Sequence, residues 1–115
     1  AFEQICRQFL IRKNRSGELA DSFEKIGKYW YDDPINHKNG EFDVVTENDN
    51  SYIFYEAKFR EGKLDKNLIW NEIQQVNSTG LVCSKYGFFS KSGYKEIDES
   101  HRQQLILYKL EDLYQ

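Results

Sequence analysis

A mixed α/β fold, one central sheet flanked by helices, follows from the order of elements along this chain. Helical periodicity at the N-terminus gives way to three adjoining strand-like runs, then a second helical stretch, then two more strands. Adjoining strands do not fit a doubly wound parallel sheet, and the helix that precedes the fourth strand does not fit an all-β architecture. The third strand-like run carries two charges, Glu56 and Lys58, in otherwise apolar surroundings, and these need a chemical reason.

Each element has its own signal. Phe2, Ile5, Cys6, Phe9 and Leu10 recur at helical spacing, so residues 1 to about 13 read as an amphipathic helix. Glu3 lies three residues before Cys6 and seven before Leu10, at the rim of that apolar stripe. Ser16-Gly17 and the charges around them read as a loop or a frayed helix end over 14–23. Ile26 to Tyr31 holds strong β-formers and is terminated by Asp32-Asp33-Pro34. Glu41 to Thr46 and Tyr52 to Phe59 are strands joined by the turn-forming cluster Glu47 to Ser51. A turn centred on Asp49-Asn50 places Asp43 across from Glu56. Side chains of a strand alternate faces, so Glu56 and Lys58 share one face while Ile53, Tyr55, Ala57 and Phe59 face the core. Gly62 breaks the strand, and Leu68, Ile69, Trp70, Ile73 and Val76 mark a helix from about Lys66 to Asn77 that ends at Thr79-Gly80. Leu81-Val82-Cys83 opens a strand continuing through Phe88-Phe89, and Gln104 to Leu110 forms the last one before a charged tail.

Composition bounds the function. The 115 residues suit one domain, and no apolar run is long enough to span a bilayer as a helix. Beginning on Ala and opening directly into a helical pattern, the sequence reads as a piece of a longer protein without signal or transit peptide. A net charge of −3 argues against a simple basic nucleic-acid coat, although Lys58, Arg60, Lys63 and Lys66 form a local basic patch. Cys6 and Cys83 lack metal-ligand spacing and read as buried free thiols of a cytoplasmic protein. His37 and His101 have no second ligand nearby and read as surface residues. Ser84, Ser90 and Ser92 lack a nucleophile-elbow context, and no Walker-type glycine loop is present. The aromatic residues Tyr29, Trp30, Tyr31 and Trp70 are expected to pack in the core rather than stack on bases.

Glu3 on the first helix, Asp43 in the second strand and Glu56-Ala57-Lys58 in the third resemble, in order and placement, the PD-(D/E)XK nuclease superfamily with its restriction-endonuclease-like α-β-β-β-α-β core. Ile26-Gly27-Lys28-Tyr29-Trp30, Gly40 to Val45, Tyr55 to Phe59 and Ser90-Lys91-Ser92-Gly93-Tyr94 are similar to a domain of unknown function at the C-terminus of prokaryotic, archaeal-type AAA ATPases. Phe42 stands where the superfamily's name has a proline. The resemblance implies a nuclease-like domain over residues 1–115, attached to an N-terminal ATPase region and acting on DNA.

The chemistry implied is phosphodiester hydrolysis, which needs stabilised phosphate charge and a positioned water. Asp43, Glu56 and the Ala57 carbonyl would hold Mg²⁺ or Mn²⁺, and Lys58 would orient water or the phosphate. Glu3 would reach the outer shell of the ion or bind a second one. Glu41 is a weaker candidate for that role, and the Gln75 amide on the following helix either touches the site or, as is commoner for glutamine, faces solvent. The alternatives are a non-catalytic DNA-binding, regulatory or oligomerisation module of an ATPase, or Glu56 and Lys58 as a charge pair that guards an edge strand.

Overall fold

A computed structural model describes residues 2–35, 37–97 and 102–115; Ala1 and His101 therefore lie outside the described residues. Helix α1 (Phe2–Arg15) is followed by strands β1 (Lys25–Asp33), β2 (Lys38–Asn48) and β3 (Ser51–Lys58), helix α2 (Lys66–Asn77), strands β4 (Cys83–Ser90) and β5 (Leu105–Lys109), and a short 3₁₀ helix, Leu110–Tyr114. The five strands form one mixed sheet in the order β1-β2-β3-β4-β5. The β1/β2 and β2/β3 pairs are antiparallel, whereas β3/β4 and β4/β5 are parallel. Parallel neighbours cannot be joined by a tight turn, and α2 fills the crossover from β3 to β4. The expected α-β-β-β-α-β order is therefore the observed one, in a mixed α/β fold.

Alternation along the strands divides the core between two helices. Val44, Ile53, Tyr55 and Phe89 pack with Phe2, Cys6, Phe9 and Leu10 of α1, and Leu113 of the 3₁₀ helix completes that layer. The Arg12 guanidinium donates to the Leu113 carbonyl at 3.2 Å, tying α1 to the end of the chain. On the opposite face, Phe42, Val45 and Phe54 meet Val76 of α2, and Phe88 meets Ile69 and Ile73. Burying each such side chain contributes about 1.5–3 kcal/mol. Helix α2 starts at Asp65, whose carboxylate accepts from the backbone N–H groups of Asn67 and Leu68.

The β2/β3 register is the one the turn residues dictate. Asn48 pairs with Ser51 and Val44 with Tyr55, around a turn in which Asp49 and Asn50 adopt φ of 50° and 65°. Both residue types tolerate that conformation, which a two-residue hairpin requires. At β1 the pairing changes step. Gly27 pairs with Val45 and Tyr29 with Phe42, so Asp43 and Val44 together oppose Lys28 in a β-bulge.

Several expectations need correction. α1 runs to Arg15, β1 to Asp33 and β2 over Lys38–Asn48, all longer than their apolar patterns. β3 ends at Lys58, so Phe59 does not face the core; it is 60% exposed, with its ring against Phe2 and beneath the Lys91 ammonium. Leu81 and Val82 precede β4, and the expected charged tail holds a 3₁₀ helix that buries Leu113. Tyr29 and Tyr31 pack against the α2-side core as expected, but Trp30 and Trp70 are 70% and 51% exposed. Cys6 is buried and Cys83 half-buried, both as free thiols. Among the described residues no helix is long and apolar enough to cross a membrane.

Candidate functional site

β3 delivers Glu56 and Lys58 to the face that α2 covers. The Lys58 ammonium lies 3.5 Å from Glu56 and 3.0 Å from Glu72, a residue in the middle of α2. All three side chains are half-buried. Burial, and then the neighbouring Glu72 charge, push the Glu56 carboxyl up to about 7, against the opposing pull of Lys58; Asp43 adds a smaller push in the same direction. Burial pulls the Lys58 ammonium down, but Glu72 and Glu56 together outweigh it and the net shift is upward.

Asp43 sits at the bulge, one residue beyond the last β2/β3 pair. The largest influence on it is Glu41, two residues away on the same strand. A hydrogen bond between the two acids raises the Asp43 carboxyl and lowers that of Glu41, and burial and the charges of Glu41 and Glu3 raise Asp43 further. Lys28 opposes the rise at Asp43 and pairs with Glu41 at 3.3 Å. Glu3 is half-buried at the rim of α1, as its position in the apolar stripe implies. Ala57 turns its side chain into the α1 layer between the two charged residues of β3.

The predicted residues thus fall into two groups, Glu3, Glu41 and Asp43 beside Lys28, and Glu56 and Lys58 beside Glu72, linked by the influence of Asp43 on Glu56. Among the described residues no three His, Cys, Asp or Glu side chains converge on one point that could hold a metal ion. Gln75 is elsewhere: its exposed amide donates to the Tyr31 hydroxyl of β1 at 2.6 Å. Lys58 does not extend an exposed basic patch, because both its charge partners are carboxylates; Arg60, Lys63 and Lys66 are exposed. Burial pushes the thiols of Cys6 and Cys83 up to about 12 and about 11, so neither is a thiolate nucleophile at neutral pH.

A family model for DUF234, described as archaeal and bacterial proteins of unknown function, matches residues 1–79. The chain belongs to the DUF234 family. The matched stretch of this DUF234 chain runs from α1 through α2 and carries every candidate residue of the site. The chain is 27% identical over 114 residues to the uncharacterized protein MJECL04 of Methanocaldococcus jannaschii, covering 96% of the present chain and 24% of that relative. The chain therefore spans about a quarter of the length of the relative it matches. The crystal structure of AF1548, a protein of unknown function, superposes with a TM-score of 0.58 over 91% of this chain and 58% of its own, at 16% identity. That likeness is one of fold.

Glu72 is the residue of this DUF234 site that the sequence reading passes over. Its signal is present: it stands three residues after Ile69 and four before Val76, so a charge occupies the inward stripe of α2.

Proposed function

We propose that this DUF234 chain is a metal-dependent nuclease-like domain of the PD-(D/E)XK type, acting on DNA phosphodiester bonds as part of a longer cytoplasmic protein with an N-terminal ATPase region. The observation that carries the reading is the Glu56-Lys58 pair on β3, beside a cluster of carboxylates from α1 and the β2 bulge. Asp43 and Glu56 are both held above the ordinary carboxylate range, Glu56 chiefly by burial and Asp43 chiefly by its bond to Glu41. Excess negative charge of this kind suits a hard divalent cation, and Mg²⁺ needs only one or two carboxylates beside its retained waters. Asp43, Glu56 and the Ala57 carbonyl would hold Mg²⁺ or Mn²⁺, which when bound supplies charge neutralisation at the phosphate. Lys58 would donate to water or to a phosphate oxygen, and Glu3 would hold outer water.

A cleavage assay on duplex, single-stranded and branched DNA with Mg²⁺ or Mn²⁺, using the full-length protein, tests this. Lys58→Ala is expected to lose at least about 100-fold in turnover while keeping metal binding; Asp43→Ala is expected to lose both. Absence of nicking on every substrate, with the cellular role of Lys58→Ala intact, would give way to a non-catalytic DNA-binding, regulatory or oligomerisation module. That second reading draws on the net charge of −3 and on the engagement of Lys58 by two carboxylates.

A further inference from the structure

We infer that Glu72 is a positioning residue that draws the Lys58 ammonium away from Glu56, leaving the Glu56 carboxylate able to take a divalent cation; this rests on the metal-dependent reading above. The geometry is asymmetric. Lys58 donates a hydrogen bond to Glu72 Oε1 at 3.0 Å, whereas its contact with Glu56 Oε1 is a longer ion pair of 3.5 Å. Glu72 has the better hold even though Glu56 lies on the same strand, two residues away.

Its placement fits that role. Glu72 is fixed on a helix whose Ile69, Ile73 and Val76 are buried against the sheet, so its carboxylate comes from a firm support. The three side chains are 22% to 32% exposed, and the attraction among them is less screened than at an open surface. Without the Glu72 charge, the ammonium would settle on Glu56 and act as an internal cation that competes with any ion from solution. With it, the ammonium stays beside the site, where it can meet water or phosphate. The residues that hold or orient a site's own ligands commonly change metal affinity by about 10–100-fold when altered.

Two measurements test this. Competitive acylation of lysines in the metal-free protein, read by mass spectrometry against the other lysines, reports how firmly Lys58 is held. Glu72→Gln should raise Lys58 labelling several-fold, and Glu56→Gln should raise it less. Unchanged labelling in Glu72→Gln, or a larger increase in Glu56→Gln, would overturn the inference. Mn²⁺ affinity is the second readout. Glu72→Gln should weaken it by about tenfold, and the added change Lys58→Met should restore it to the wild-type level or above. Failure of that rescue would make Glu72 an ion ligand and not a positioning residue, which also overturns the inference. A wild type that takes no Mn²⁺ while its Lys58 labelling follows the expected order would instead sink the metal-dependent reading and leave the placement of Lys58 by Glu72 standing.

Discussion

At the scale of single residues, the carboxyl of Glu56 makes the fold sensitive to pH. Its folded value is raised to about 7 by burial first and by Glu72 second. An unfolded glutamate loses its proton near pH 4.3, so between these values the native state holds more protons than the unfolded state. Stability must then fall as pH rises from about 4.5 to about 7. Metal-free Glu56→Gln should remove that slope and gain on the order of 1–2 kcal/mol at pH 7.5, which urea unfolding at several pH values will read. Asp43 is shifted in the same direction, chiefly by its hydrogen bond to Glu41. Asp43→Asn should leave metal-free stability equal or higher and abolish the rise in unfolding temperature that millimolar Mg²⁺ or Mn²⁺ gives the wild type. An equal metal response in both proteins would place the ion elsewhere.

At the scale of elements, β3 and β4 approach closely at Gly87. Tyr55 pairs with Gly87, and a Cβ at Gly87 would overlap the tyrosine ring. Gly87→Ala should cost about 1–3 kcal/mol by overpacking, measured as a lower urea midpoint. Helix α2 depends on its cap, and Asp65→Ala should cost about 1 kcal/mol. These elements were legible to different depths. The bounds of α2 could be read because its apolar stripe begins after the break at Gly62 and ends at Thr79-Gly80. The hairpin could be read because Asp49 and Asn50 are among the few non-glycine residues that accept positive φ. The bulge could not. Phe42 and Val44 look like alternate residues on one face, and only the pairing with Lys28 reveals the extra residue that sends Phe42 and Val45 to the same side. Strand ends were missed for a related reason: backbone pairing with a neighbour extends β1 and β2 beyond their apolar residues. Phe59 was misjudged because alternation has no meaning once the strand has stopped.

At the scale of the whole molecule, a net charge of −3 sets the terms for any contact with DNA. Arg60, Lys63 and Lys66 are exposed cations that closely follow β3, next to the candidate site in sequence. Neutralising about three phosphates gives a logarithmic salt slope of about −2 to −3, shallow for a DNA-binding protein. Fluorescence anisotropy across a salt series with the isolated chain checks this. A slope near zero would remove DNA from its direct contacts.

The layer built on α1 also fixes the order in which the chain can be completed. Phe2, Cys6, Phe9 and Leu10 leave the ribosome well before Phe89 and Leu113, which are among the partners that cover them. The β1-β2-β3 meander closes through contacts between neighbouring segments and can assemble during synthesis, whereas the parallel half must await β4 and β5. Until then α1 presents an uncovered greasy stripe, the kind of surface that recruits chaperones and seeds aggregation. Slow translation from β4 to Leu113 would lengthen that interval, and the yield of folded protein should respond to the pace of synthesis there more than to any single surface residue.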